Sequence, residues 1–277
     1  MSKFKGDEML EIAFKTDVGC VRPHNEDSIA IDSEIGLLVL ADGMGGYQAG
    51  EVASGIATDL VVREMRTGVL QSFSNITVIE GEGSPPSQTR LLRRAIEHAN
   101  AAIYEAGSTQ VHLSGMGTTV VAVFFWADKA SIAHVGDSRL YRLRGSNLQR
   151  ITKDHSLVQE LIDHGFYTPE QARTSPQRHL VTRALGLEGT VRVEASEIQV
   201  ESEDIFLLCS DGLTDMVSDE DICLVIKTLS GDLMQAAEQL IEIANDQGGR
   251  DNISVVLARM RAEAGRSWKS RFQNWVR

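Results

Sequence analysis

Cysteine is scarce in this sequence of 277 residues. Cys20, Cys209 and Cys223 are its three cysteines, and no two of them form a C-x-x-C pair. Secreted disulfide-rich domains and thiolate zinc sites both depend on paired cysteines, so the spacing argues against both classes. The seven histidines also lack the H-x-x-x-H spacing of a zinc-binding helix. We therefore expect a protein of the reducing cytoplasm.

The sequence also has fewer basic than acidic residues. The sequence has 27 Lys and Arg residues against 39 Asp and Glu residues, which gives a formal net charge of −12 at pH 7. A general nucleic-acid binder needs a basic surface to neutralise phosphates, so we expect no nucleic-acid partner. Any anionic substrate must then be held by a few arginines or by a metal ion.

Long apolar runs are missing. No stretch is long enough to span a bilayer, and the N-terminal "MSKFKGDEML" lacks the apolar core of a signal peptide. We therefore expect no transmembrane segment.

Several common catalytic motifs are missing too. The sequence has no G-x-S-x-G elbow, no Walker loop and no dinucleotide fingerprint after a first strand. The glycine-rich "DGMGGYQAG" lacks the Lys-Ser/Thr ending of a phosphate-binding loop. The chemistry must therefore come from other residues.

The order of predicted elements favours an α+β fold. Strand-like segments such as "LEIAFKTDVG", "DSIAIDS" and "LLVLADG" come first, and from Gly117 onward β-branched runs are joined by short turns. Such short links imply antiparallel hairpins. Helical patterns occur between them in groups, which indicates antiparallel sheets covered by helices. No linker divides residues 10–261, so we predict one domain there.

The first predicted helix is "GEVASGIATDLVVREM". Val52, Ile56 and Leu60 recur every four residues, with Ala53 and Ala57 beside them. This period predicts an amphipathic helix that packs closely on a sheet. Residues 67–89 are rich in Gly, Ser and Pro and predict an irregular connection.

The C-terminal tail, residues 262–277, differs in composition. Its end, "RSWKSRFQNWVR", has four basic and no acidic residues, and Trp268, Phe272, Trp275 and Val276 would share one helix face. One interpretation is a helix that contacts a membrane surface or a partner. The other is a tail that frays or packs on the domain.

Acidic residues recur at the ends of the predicted strands. The five places are Asp42 after "LLVLA", Asp211 after "FLLCS", Asp137 after "IAHVG", Asp251 before "NISVV", and the pair Glu26-Asp27 before "SIAID". Asp is a common turn and cap residue, so each alone has a structural explanation. Carboxylates gathered at one edge would repel each other unless a cation neutralised them. An all-oxygen ligand set suits Mg²⁺ or Mn²⁺, and a glycine such as Gly43 lets the backbone carbonyl turn toward the ion.

With these residues the sequence resembles the bacterial PP2C-type (PPM) metal-dependent Ser/Thr protein phosphatases. Eight stretches match in the family's order from about Val18 to Leu257: "GCVRPHNEDS", "LLVLADGMGGYQAGEVAS", "SGMGTTVVA", "AHVGDSRLYRLR", "ITKDHSLVQELIDHG", "SPQRHLVTRALG", "FLLCSDGLTDMVSDEDI" and "GGRDNISVVL". The resemblance implies an α/β/β/α sandwich of two antiparallel sheets flanked by helix pairs. It also implies two Mn²⁺ or Mg²⁺ ions at one edge, with a third ion in bacterial members.

The resemblance also implies roles for single residues. By this likeness Asp42 bridges both ions, the Gly43 carbonyl joins one of them, and Asp211 and Asp251 hold the other. Glu26 and Asp27 bind or orient waters, and Asp137 with Asp211 forms the third site. Arg22 binds the substrate phosphate, and Asn252 orients the site. A metal-bound hydroxide would then attack phosphoserine or phosphothreonine directly. The expected partners are phosphorylated proteins and a cognate Ser/Thr kinase, and the chain is expected to be a monomer.

The sequence departs from the family pattern at Tyr47. Relatives carry a histidine there, or at the position of Met44, as the expected proton donor to the leaving group. Tyr47, His24 and a metal-bound water are the candidates that remain. The segment 154–186 resembles the family's flap (called the flap segment below), and His179 within it is a candidate third-site contact.

Two other functions stay open at this point. A catalytically silent phosphoprotein-binding module would share the fold. Such a module would be free to lose Arg22, Asp42, Asp211 and Asp251, so their presence argues against it. A metal-dependent hydrolase of nucleic acids would need a basic groove, which the charge disfavours.

Overall fold

The computed structural model describes residues 10–46, 49–74 and 87–261. Tyr47 and the tail 262–277 lie outside this part, so the expectations for them stay predictions. The first half contains strands β1 Leu10–Asp17, β2 Asp27–Asp32, β3 Leu37–Met44, β4 Gly117–Thr118, β5 Val120–Trp126 and β6 Lys129–Val135, with helices α1 Ala49–Ser74 and α2 Ser87–Thr109. The second half contains β7 Arg139–Arg144, β8 Asn147–Arg150, β9 Glu194–Gln199, β10 Ile205–Cys209 and β11 Ile253–Met260, with α3 Leu157–Asp163, α4 Pro169–Thr174, α5 Asp211–Thr214, α6 Asp219–Thr228 and α7 Leu233–Asp246.

The strands form two antiparallel sheets. One has the order β1-β11-β10-β7-β8 and the other β2-β3-β5-β6-β9, with β4 paired to β3. Residues such as Leu38, Val121, Phe206 and Val256 fill the space between the sheets. The outer face of one sheet packs against α1 and α2, and that of the other against α6 and α7. The predicted α/β/β/α sandwich is therefore confirmed.

Helix α1 differs from its predicted form in two ways. It continues to Ser74, so residues 67–74 are helical, where an irregular connection was predicted. Its fully buried face carries Ala53, Ala57, Val61 and Met65, whereas Val52 is 39% exposed. The small alanines let the helix backbone approach the sheet closely, which moves the larger Val52 out of the contact. Within the described residues, no helix combines the length and apolarity needed to cross a bilayer.

The strand pairing brings the predicted acids to one edge. Asp27, the first residue of β2, lies directly opposite Asp42 near the end of β3. β10 leads directly through Ser210 into Asp211, and the adjacent β11 begins just after Asp251. Acids far apart in the sequence thus converge because the strand ends of both sheets meet there.

Candidate metal centre

The backbone at Asp42 is held by two threonines that precede β5. Asp42 N donates to Thr119 Oγ1 at 3.1 Å, and the Asp42 carbonyl accepts from Thr119 N and Thr118 Oγ1, both at 2.8 Å. The "MGTTV" stretch therefore supplies both backbone and side-chain partners to one acid. These three bonds fix the backbone of Asp42 near the end of β3.

The residue after Asp42 has to be glycine. Gly43 N donates to the Glu26 carbonyl at 3.1 Å, so the chain at residue 26 passes directly against it. A Cβ atom at Gly43 would collide with the carbonyl oxygens of Gly50 and Glu26. The glycine therefore allows three backbone segments to pack at the point where the sequence predicts a carbonyl ligand.

Asp211 is the first residue of the short helix α5. Ser210, directly before it, donates from Oγ to Asp27 Oδ2 at 2.9 Å and accepts from Ser254 N at 3.0 Å. This hydroxyl joins strands of both sheets at the site. A Cβ atom at Gly212 would collide with the Asn252 carbonyl, so the start of α5 packs tightly against the loop before β11.

Arg22 and Asp251 form an ion pair. Arg22 Nη2 donates to Asp251 Oδ2 at 2.7 Å, and the arginine side chain remains 53% exposed. The family resemblance implies a phosphate-binding role for Arg22 and a metal-binding role for Asp251, and the two side chains are in direct contact. The bond to Asp251 uses one of the five N–H donors of the guanidinium and orients the group at the rim of the site.

Asn252 organises the loop that carries Glu26. Its Nδ2 donates to the carbonyl oxygens of Val18 at 3.0 Å and His24 at 2.9 Å, and its Oδ1 accepts from Glu26 N at 2.8 Å. One buried amide thus spans residues 18–26. This geometry supports the predicted orienting role, which stays a prediction, and it places the exposed His24 near the site through its backbone.

Asp137 follows β6 on a turn at Gly136, whose φ is +103°. The Asp137 side chain lies in a cavity of about 550 Å³ next to Asp211. The cavity runs beneath the flap segment, whose helices α3 and α4 contribute Val158, Ile162, Pro169 and Ala172. Asp137 and Asp211 therefore line the same cavity, and the third site that they would form stays a prediction.

The acids of the site repel one another. Desolvation and then the charges of Asp27 and Asp211 raise the pKa of Asp42 well above its ordinary value. Desolvation and then the charge of Asp137 do the same to the pKa of Asp211. Desolvation also raises the pKa of Asp27 to about 6, against hydrogen bonds from neighbouring serines that lower it.

Two further acids behave in the same way. Desolvation, with the charge of Asp154 next, raises the pKa of Asp137 to about 7. Desolvation also raises the pKa of Glu26. Five acids are therefore held where their charged forms are unfavourable in the metal-free protein.

These residues fit a divalent cation centre. The donors are carboxylates and backbone carbonyls, which suit hard cations such as Mg²⁺ and Mn²⁺. Asp27 Oδ1 is buried and has no hydrogen-bond partner among the described residues, although Oδ2 of the same group is bonded. A cation bound there would offset the repulsion among the carboxylates and would also interact with Asp27 Oδ1.

Asp215 is a further acid beside the site that the sequence motifs did not predict. It lies one helical turn after Asp211, and its Oδ2 is 2.9 Å from His179 Nδ1 and 3.6 Å from Arg178 Nε. His179, Asp211 and Asp215 each bring one potential ligand atom within 4.8 Å of the others. The i, i+4 spacing of the two acids in "DGLTD" is the signal that could have identified it.

The protein phosphatase 2C family matches residues 22–258 of the chain. The serine/threonine phosphatase stp of Listeria welshimeri is 38% identical over 252 residues, which cover 90% of this chain and 95% of that protein. PstP of Mycobacterium tuberculosis is 39% identical over 253 residues, which cover 90% of this chain and 45% of that protein.

Solved structures of the family share the fold. The M. tuberculosis phosphatase PstP/Ppp superposes with a TM-score of 0.80 at 37% identity and covers 92% of this chain and 100% of that one. The catalytic domain of PstP in complex with two manganese ions gives a TM-score of 0.77 at 36% identity and covers 92% and 99%. By sequence and by fold, the chain belongs to the protein phosphatase 2C family.

Proposed function

We propose that the chain is a metal-dependent protein serine/threonine phosphatase that hydrolyses phosphoserine and phosphothreonine without a covalent enzyme intermediate. The observation that carries the proposal is the convergence of Asp27, Asp42, Asp211 and Asp251 at one sheet edge, with Arg22 at its rim. Similarity to phosphatases over nine-tenths of the chain supports the same reaction.

Mn²⁺ or Mg²⁺ would be held by Asp42, the Gly43 carbonyl, Asp211 and Asp251, with Glu26 and Asp27 beside them and Asp137 at a third position. When bound, two such ions supply an activated water and positive charge at the phosphate. The two manganese ions in the PstP catalytic domain make this ligand set the first to test.

Arg22 would bind the substrate phosphate. Its ion pair with Asp251 leaves four N–H donors in an exposed, oriented fork, which matches two phosphate oxygens. A lysine would keep the charge and lose that geometry. Asn252 would hold the loop of Glu26 in register with Asp251 through its three hydrogen bonds.

The leaving serine or threonine oxygen needs a proton. Tyr47 and His24 are the candidate donors that the chain itself offers. A tyrosine of ordinary pKa near ~10 is a weaker acid at neutral pH than a histidine. A tyrosine stays protonated through the neutral range, so the protonation state of the donor would change less with pH near neutrality in this chain than in relatives that carry histidine.

The cellular setting that we propose has three parts. The protein would act in the cytoplasm, as a monomer, and would oppose a Ser/Thr kinase by removing the phosphates that the kinase adds. Incubation with an autophosphorylated Ser/Thr kinase would test the last part, since phosphate should be lost from the kinase only when divalent metal is present.

A panel of substrates tests the reaction class. With Mn²⁺, we expect phosphate release from phosphothreonine and phosphoserine peptides and little release from a phosphotyrosine peptide or a phosphodiester. Peptide binding without release would favour the silent binding module. Cleavage of the phosphodiester at a comparable rate would favour the nucleic-acid hydrolase.

A further inference from the structure

His155 is a buried histidine that holds the turn carrying Asp137. Its backbone N donates to the Gly136 carbonyl at 2.9 Å, and its ring Nδ1 accepts from Gly136 N at 3.0 Å. One residue therefore satisfies both backbone groups of Gly136. The two residues are 19 positions apart, and neither belongs to a regular strand pairing with the other.

The ring of His155 is held at both nitrogens. Nδ1 accepts from Gly136 N, and Nε2 lies 2.9 Å from Arg183 Nη1 and 3.3 Å from Glu194 Oε1. The ring also stacks on His134 with centroids 4.7 Å apart. Burial, and then the neighbouring His134 and Arg183, lower the pKa of His155 to about 4, which keeps Nδ1 available as an acceptor.

His155 itself lies at the base of the flap segment, where the two ends of the segment pair. Its carbonyl accepts from Thr182 N at 2.8 Å, the adjacent Leu157 N donates to Leu180 O at 2.9 Å, and Ser156 forms a bridge with Val181. Residues 155–157 and 180–182 are thus paired across the base of the flap segment. A change in the flap segment would reach the Gly136 turn through this pairing.

The Gly136 turn in turn contacts the partner of Asp42. A Cβ atom at Gly136 would lie 2.6 Å from the side chain of Thr119, so the turn sits directly on that residue. Ser138 Oγ is 2.7 Å from Thr119 Oγ1, and Thr119 Oγ1 also accepts from Asp42 N. The position of the turn is therefore linked to Asp42 as well as to Asp137.

We propose that His155 is a positioning residue for Asp137. It holds the Gly136 turn so that Asp137 lines the same cavity as Asp211, and it joins that turn to the base of the flap segment. The proposal rests on the proposed function, in which Asp137 is a metal ligand. Partners that orient a metal ligand change metal affinity roughly 10–100-fold when they are lost.

Two substitutions distinguish the role of the His155 Nδ1 acceptor from the role of the rest of the imidazole ring. His155→Phe keeps an aromatic ring beside His134 and removes the acceptor for Gly136 N. His155→Asn keeps an oxygen acceptor near the place of Nδ1 and removes the rest of the ring. Asp232→Ala removes the N-cap of α7, where the side chain accepts from Gln235 N, and serves as the control for general destabilisation.

The first readout is Mn²⁺ binding to the metal-free protein, measured by calorimetry. Asp137→Ala defines the binding step that depends on Asp137. We expect His155→Phe to weaken that step about 10–100-fold, His155→Asn to restore it in part, and Asp232→Ala to leave it unchanged at a similar loss of melting temperature. The second readout is amide hydrogen exchange at Gly136, which should become faster in His155→Phe.

The outcomes distinguish the two proposals. If Asp137→Ala removes no Mn²⁺-binding step, the ligand assignment in the proposed function is wrong at Asp137, and the role of His155 in metal binding is lost with it. If Asp137→Ala removes a step and His155→Phe leaves that step and the Gly136 exchange rate unchanged, the positioning role alone is overturned. A loss in His155→Phe that Asp232→Ala reproduces would also overturn it.

Discussion

Replacing Asp137 by asparagine should stabilise the metal-free protein, and more so at high pH. Asp137 is 7% exposed, and its pKa of about 7 in the folded protein compares with an ordinary value of 3.8. At pH values between 3.8 and about 7, the folded state binds more protons at Asp137 than the unfolded state does. The stability of the wild type therefore falls as pH rises through this range. Asparagine has the shape of the neutral acid and does not titrate.

The magnitude follows from the two pKa values. A difference of one pKa unit corresponds to ~1.4 kcal/mol, so an ionised Asp137 costs about 4 kcal/mol relative to a neutral one at pH 8. At pH 5 the cost is about 2 kcal/mol, because the folded group is protonated while the unfolded group is still mostly ionised. The gain from Asp137→Asn should therefore shrink by about 2–3 kcal/mol between pH 8 and pH 5.

Urea unfolding of both proteins in EDTA at the two pH values would measure this gain. His134 and His155 have lowered pKa values, so they destabilise the folded state at low pH, but they contribute equally to both proteins and cancel in the difference. Asp128→Asn, at an exposed position in the turn after β5, is the control for the same change of side chain. An equal gain from Asp137→Asn at both pH values, or a loss at pH 8, would refute the reasoning.

Saturating Mn²⁺ should reduce the stability advantage of Asp137→Asn at pH 8. A ligand present at 100 times its dissociation constant stabilises the state that binds it by ~2.7 kcal/mol. The wild type would receive the full contribution of the Asp137 site and the asparagine variant would not. The advantage of Asp137→Asn should therefore narrow or disappear when the metal is added.

Three further substitutions test the geometry of the site. Arg22→Lys should lower kcat/KM about 10–100-fold because the single ammonium loses the bidentate fork, and steady-state kinetics with a phosphothreonine peptide would measure it; an unchanged kcat/KM would contradict the role. Gly43→Ala should lower the free energy of unfolding by about 1–3 kcal/mol in urea, because its Cβ would collide with the Gly50 and Glu26 carbonyls, and a neutral effect would show that the contact relaxes freely. Asn252→Ala should cost about 2–4 kcal/mol in the same assay because it removes three hydrogen bonds at once, whereas a cost under about 1 kcal/mol would mean that water replaces them.

Much of the fold and the family could be predicted because they depend on local patterns. Apolar strands that end in Asp-Gly, hairpin turns and the order of the motifs are all visible along the chain. Asp42 lies near the end of β3 and Asp211 lies just after β10, so their place at a sheet edge follows from the strands themselves. Helix α1 was harder, because Ala53 and Ala57 allow close approach and outweigh the larger Val52 in setting the buried face.

The missed features depend on contacts between distant segments. The hydrogen bonds of His155 to Gly136 cross 19 residues, and the Arg22–Asp251 ion pair joins residues 229 positions apart. Neither has a periodic signal in the sequence, because a single side chain carries each contact. Asp215 had a local signal in its spacing from Asp211, but its contact with His179 depends on how the flap segment folds back.

The central claim is that the converging acids form the metal-dependent centre of a phosphatase. The most direct measurement is phosphate release from a phosphothreonine peptide by metal-free protein as Mn²⁺ is added, for the wild type and for Asp42→Asn. The account predicts that release by the wild type rises from near zero to saturation with Mn²⁺. It also predicts that Asp42→Asn, although folded, stays at least about 100-fold slower at every concentration, which corresponds to ~2.7 kcal/mol of lost transition-state stabilisation. Release that needs no metal, or an Asp42→Asn variant with wild-type turnover, would contradict it.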